Sequence, residues 1–276
     1  MVKSIVVNLS VGEAADAATA YAVSVAAAFE AHVAGIAFCY ETSIAQFGYE
    51  GVAVSLIEEE RAKAARAADA AIAKFEESVR RHGLSARSHR LEASFAGAGA
   101  QFATLARRFD LSIITQAEPR KVVPEEMIIE AALFDSGRPV LVVPYIQKAG
   151  LALDRAMVAW DGSRSAARAA ADAMPFLKRA KKVEVVMVTA ERAKSDEVPG
   201  ADIAHHLARH GLDVSVQRIV AVETDVANTI LSYAADAGTD FVVMGGYGHS
   251  RLREFVLGGA TRGILAAMTV PVLMSH

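Results

Sequence analysis

The chain has 276 residues, room for one large domain or two medium ones. Apolar residues make up 53% of it and the formal charge is −3, a balance that argues against a broad nucleic-acid surface. It lacks the run of about 18 apolar residues that a membrane-spanning helix needs, and its single cysteine, Cys39, excludes an intrachain disulfide.

Taken in chain order, the pattern switches between strand and helix periodicity. The first half predicts strands at 3–9, 31–39, 86–92, 111–115 and 139–143. Helices are expected at 13–29, 53–81, 98–108 and 124–135. The long second helix carries an apolar stripe of Ile57, Ala64, Ala68, Ile72, Phe75 and Val79, with Glu and Arg on its other face. Cys39 lies in the apolar context Ile36-Ala37-Phe38, which reads as a buried thiol. The opening Ile5-Val6-Val7 reads as a strand, without the layout of a signal peptide, and a reducing cytoplasm is the expected location.

The second half predicts strands at 155–160, 182–189, 213–219, 240–244 and 270–274, with helices at 164–179, 200–210, 225–237 and 258–267. It repeats the first half. Arg81-His82-Gly83-Leu84 returns as Arg209-His210-Gly211-Leu212, each glycine suited to a left-handed helix cap. Phe109-Asp110-Leu111-Ser112 returns as Thr239-Asp240-Phe241-Val242, and both halves close on a proline-bearing strand. At the fronts, Ile5 to Leu9 is matched with Met157 to Asp161. Nearly continuous apolar strands alternating with helices indicate parallel sheets covered on both faces. The expected fold is α/β, two tandem doubly wound domains at 1–146 and 152–276, each with a five-stranded parallel sheet.

Ligands of such sheets bind beyond the carboxyl ends of the strands, where the winding reverses. In the second half three segments should meet there. Asp161 follows the first strand, Val188 and Thr189 end the second, and a glycine loop follows the fourth. That loop has Gly245, two residues, Gly248, nine residues, then Gly258 and Gly259. Glycines admit a close backbone approach, and the helix start offers free amides to an anion. The arrangement is neither a Walker loop nor the dinucleotide fingerprint. It reads either as a phosphate cradle or as a tight turn with close helix–strand packing. Asp161 suits a ribose hydroxyl, a Mg²⁺ held on phosphates, or a helix cap. Val188 and Thr189 are placed to present backbone groups to an adenine edge. Ala260 and Thr261 would add amides, and Thr261 a hydroxyl, while His249 flanks the loop as a phosphate counter-charge. His205 and His206 are adjacent on one helix and point apart, so they make a poor metal pair. No catalytic nucleophile and base are assembled.

The segment from Met244 to Thr261 resembles the carboxyl-terminal signature of the universal stress protein family: Gly, two residues, Gly, nine residues, Gly, then Ser or Thr. Gly245, Gly248 and Gly258 match, and Asp161 matches the acidic position of the family's ATP-binding branch. Gly259 stands where that branch has its hydroxyl. The resemblance implies a tandem member with an adenine-nucleotide alpha-hydrolase-like fold, binding ATP or ADP, with Mg²⁺ as a companion at Asp161. Turnover would be regulatory or very slow; a scaffold retaining only the fold is the alternative.

The halves should differ. Leu9 is matched to Asp161, and Gln116-Ala117-Glu118-Pro119 replaces the glycine loop, a poor phosphate cradle. The resemblance also implies a homodimer through the fifth strands, 140–143 and 270–274, or else pairing of those two strands within one chain.

Overall fold

The computed structural model describes residues 1–12, 16–40, 54–118, 124–189, 200–221, 225–246 and 259–276. They form two compact units, Met1–Arg138 and Pro139–His276. The first unit contains β1 (Ser4–Asn8), α1 (Ala17–Phe29), β2 (His32–Tyr40), α2 (Val54–Arg81), β3 (Ala86–Ala93), α3 (Ala98–Ala106), β4 (Leu111–Thr115) and α4 (Glu125–Asp135). The second contains β5 (Val140–Val143), β6 (Arg155–Ala159), α5 (Arg164–Leu177), β7 (Lys182–Thr189), α6 (Ala201–Arg209), β8 (Val214–Val220), α7 (Val226–Asp236), β9 (Phe241–Gly245), α8 (Gly259–Ala267) and β10 (Val272–Ser275). The doubly wound α/β reading holds in both.

In the first unit the strands run β3-β2-β1-β4, all parallel. Successive right-handed crossovers step outward from β1 to β3 and then return to β4. The reversal therefore lies between β1 and β4. Ala68, Phe75 and Val79 of the predicted α2 stripe are buried. Gly35 of β2 is where that stripe seats, since a Cβ there would lie 2.8 Å from the Phe75 ring. Cys39 is buried, as its context implied. Gly83 and Gly211 adopt φ of +63° and +84°, the left-handed geometry expected where the repeated motif ends each helix.

In the second unit the order is β5-β10-β9-β6-β7-β8, and the reversal lies between β6 and β9. Each sequence repeat supplies five strands, β1 to β5 and β6 to β10, as expected. β5, which closes the first sequence repeat, belongs to the second unit and pairs antiparallel with β10, Leu141 opposite Leu273. The compact units divide at 138/139, whereas the sequence places the linker between 146 and 152. β10 is paired on both sides, by β5 and β9, so the fifth strands are satisfied within the chain and are not free templates for a second copy.

The repeated aspartate has a structural role. Asp110, just before β4, accepts from the Lys3 and Ser4 amides at 2.9 Å and from the Ser4 hydroxyl at 3.1 Å. Asp240, just before β9, accepts from the Asp154 amide at 2.9 Å and the Arg155 amide at 3.2 Å. Each carboxylate thus fastens the start of one central strand to the start of its neighbour. Their electrostatics diverge. Burial raises the Asp110 carboxyl, but the amide and hydroxyl donors outweigh it and hold it below the ordinary value. At Asp240 burial wins over its amide donors, with the Asp154 carboxylate adding to it, and the group sits above that value.

Candidate functional site at the winding reversals

The aspartate clamps fix the residue-by-residue equivalence of the two units. Asp110 accepts from Ser4 and Asp240 from Arg155, so Ser4 corresponds to Arg155. The Leu9 amide donates to Ile36 O at 2.8 Å and the Trp160 amide to Val186 O at 2.9 Å, which pairs Leu9 with Trp160. The sequence match of Leu9 to Asp161 is therefore one residue out of step. Ser10 is the counterpart of Asp161, Asn8 of Ala159, Thr115 of Gly245 and Gln116 of Gly246. Apolar residues aligned on apolar residues carry no register, whereas the repeated aspartates do.

In the second unit, β6 and β9 end side by side, Ala159 opposite Met244. The chain leaves β6 through half-buried Trp160 to exposed Asp161, then turns at Gly162 with φ +75°. Asp161 is not the helix cap. Its Oδ1 accepts from the Ser163 amide at 2.9 Å, while Ser163 Oγ caps α5 by accepting from the Ala166 amide at 3.1 Å. Asp161 thereby shapes the turn and keeps its carboxylate at the solvent side of the sheet edge.

Gly245 has a packing explanation. A Cβ there would fall 2.5 Å from the Ala166 nitrogen and 2.6 Å from Ser165 Oγ, so the first turn of α5 fills the space that a side chain would take. This is the helix–strand packing that the sequence left open, and it accounts for a glycine at 245 without calling on a ligand. Gly259 is the opposite case: among the described residues, a Cβ there would meet nothing within 4 Å. It opens α8, followed by half-buried Ala260 and by Thr261, which is 4% exposed. Val188 and Thr189 end β7 on the far side of β6, paired with Ile219 and Val220. The Thr189 hydroxyl accepts from Arg218 Nε at 3.2 Å and its carbonyl accepts from the Ala221 amide at 2.9 Å, so that backbone acceptor is already engaged. Gly248, His249 and Gly258 lie outside the described residues. His205 makes no ring contact with His206; the latter meets His210, edge-on at 5.0 Å. Among the described residues no group of three or more His, Cys, Asp or Glu gathers to hold a metal.

The first unit closes the equivalent corner with its own side chains. Ser10 Oγ lies 3.3 Å from Thr115 Oγ1, both buried. Asp16 caps α1, accepting from the Thr19 amide at 3.0 Å and its hydroxyl at 2.6 Å, and from the Ser10 amide at 3.1 Å. Burial raises the Asp16 carboxyl despite these donors. Beside it a cavity of about 150 Å³ is lined by Ser10, Thr19, Ala70, Lys74 and Phe75. A carboxylate already sits where an anion would approach α1.

The model of the Universal stress protein family matches residues 152–276. The chain carries a universal stress protein domain. A curated relative, a universal stress protein of Synechocystis, is 27% identical over 142 residues, which span 49% of this chain and 46% of that protein. The match therefore covers about half of the relative's length. Among solved structures, a universal stress protein from Archaeoglobus fulgidus aligns with 98% of this chain and 94% of its own, at a TM-score of 0.74 and 15% identity. A putative universal stress protein from Pseudomonas aeruginosa aligns with 99% and 92%, at 0.63 and 14%. At such identities these structures speak for the fold alone, and the alignments run over both units.

Proposed function

We propose that the second unit binds one adenine nucleotide, ATP or ADP, at the β6–β9 reversal, and that binding is regulatory with at most very slow hydrolysis. The observation that carries this reading is Asp161: an exposed carboxylate at the sheet's carboxyl edge, relieved of helix capping by Ser163. No described residue crowds Gly259, and the start of α8 suits a phosphate approach to backbone amides. The residues present fit such a group. Asp161 would meet ribose or a Mg²⁺ carried on the phosphates, and Gly259, Ala260 and Thr261 would supply donors. Gly248, Gly258 and His249 enter the reading on their sequence spacing alone. The first unit is the non-binding partner, because Asp16 and the Ser10–Thr115 pair occupy its corner.

Mass analysis of nucleotide released from freshly purified, denatured chain tests this directly, with calorimetry against ATP, ADP and Mg²⁺ as a second measurement. The expected result is one site per chain, weakened at least tenfold by Asp161→Ala. Absence of both released nucleotide and saturable binding would sink it. The packing role of Gly245 favours a second reading, a scaffold in which the glycines serve the fold; that reading gains if Asp161→Ala changes nothing. We also place the protein in the cytoplasm as a homodimer. Since β5 and β10 satisfy each other, a second copy would dock elsewhere, and light scattering decides whether the mass in solution exceeds 29.2 kDa.

A further inference from the structure

Asn8 is the last residue of β1 and is 2% exposed, yet its side-chain oxygen has no hydrogen-bond partner. A buried amide acceptor left unpaired is costly and uncommon in a folded protein. The fold does not demand it, because the equivalent position of the second unit is Ala159. Its direction follows from register. Val7 pairs with Gly35, whose missing Cβ abuts Phe75 of α2, so Val7 faces α2 and Asn8 faces the opposite side of the sheet. The return crossovers through α3 and α4 run on that side.

On the same face, Asn8 pairs with Ile36, and Phe38 and Tyr40 follow at alternate positions along β2. Tyr40 rises about 13 Å beyond the level of Asn8, from the usual rise per strand residue. Its ring lies 6.0 Å from Phe38 and 5.3 Å from Phe95, and Phe95 is 39% exposed. Gln116, beyond the end of β4, shares this face and is 2% exposed. Glu125 opens α4, and burial together with the Glu125 charge holds the Tyr40 phenol well above its ordinary value. Where the second unit has Gly246 and Gly248, this unit has Gln116 and Glu118.

We propose that the first unit holds a separate ligand site for a small organic cation with N–H donors, an amine or guanidinium. Asn8 forms its floor, Phe38 and Gln116 its flanks, and Tyr40 and Glu125 its rim. An unpaired amide oxygen, a carboxylate and aromatic faces together recognise a donor-rich cation. The same set repels the phosphates expected in the second unit.

The test titrates the full chain by calorimetry with agmatine, putrescine and spermidine, in the absence and presence of saturating ATP. At least one amine should bind saturably, unaffected by ATP, and Glu125→Gln should weaken it at least tenfold. Asn8→Ala, which installs the residue type the second unit carries at 159, should weaken it tenfold while raising Tm by about 2–4 °C, since it removes an unpaired buried group. The proposal is overturned if none of the three amines binds, if Asn8→Ala binds as tightly as the parent, or if ATP displaces the amine. A failure of amine binding leaves nucleotide binding to the second unit untouched, since the Asp161→Ala titration reads that separately.

Discussion

The two winding reversals share one backbone frame and use their aspartates for different ends. In the first unit the helix cap falls six residues after Ser10; in the second it falls two residues after Asp161. The longer turn lets Asp16 reach the start of α1 and commit its oxygens to Thr19 and Ser10. The shorter turn gives capping to Ser163, leaves Asp161 at the surface, and draws α5 so close to β9 that only glycine fits at 245. A few residues of loop thus decide whether an acid belongs to the fold or faces a ligand.

Four substitutions would break or sharpen that contrast. Gly248→Val is expected to have the largest effect, a loss of ATP binding of about a hundredfold with unchanged circular dichroism; retained affinity would move the site away from the glycine spacing. Gly245→Ala should instead act on stability, by about 1–3 kcal/mol in urea unfolding, because the added methyl overpacks the α5 start. If it proves neutral, the packing account of Gly245 fails. Asp16→Ala should cost about 1 kcal/mol through the lost cap and leave nucleotide affinity intact. Gly259→Ser should hold or modestly raise affinity, since no described residue crowds that position, and a fall without misfolding would count against a phosphate there.

The aspartate clamps sharpen the comparison through pH. The Asp110 carboxyl lies below its ordinary value, so its contribution is present above the unfolded value and lost as pH falls through the folded one. The Asp240 carboxyl lies above, so its contribution is present in acid and lost as pH rises through the folded value. Unfolding of Asp110→Asn and Asp240→Asn between about pH 3 and 7 should therefore show the parent's advantage growing with pH in the first case and shrinking in the second. Parallel trends would overturn the assigned opposition.

Much of the fold was legible because periodicity and caps are local. The α2 stripe, the glycines after α2 and α6, and the alternation of strand and helix all follow from neighbouring residues. The register between repeats was not, since Ile5-Val6-Val7 slides on Met157-Val158-Ala159 without penalty until the Asp110 and Asp240 clamps pin it. The site was half legible. Spacing marked Asp161 and the glycines, but which space Gly245 leaves, and for what, depends on Ser165 and Ala166, which the strand sequence does not announce. Asn8 escaped notice because one polar residue at a strand end looks like an ordinary boundary.

The membership of β5 has a practical corollary for anyone dividing the gene. A cut at the proline- and glycine-bearing stretch near 150 would strip β10 of the partner that runs from Val140 to Val143. The carboxyl-terminal fragment would then present a bare, apolar strand and tend to associate through it. Starting that fragment at Pro139 keeps the strand with its mate.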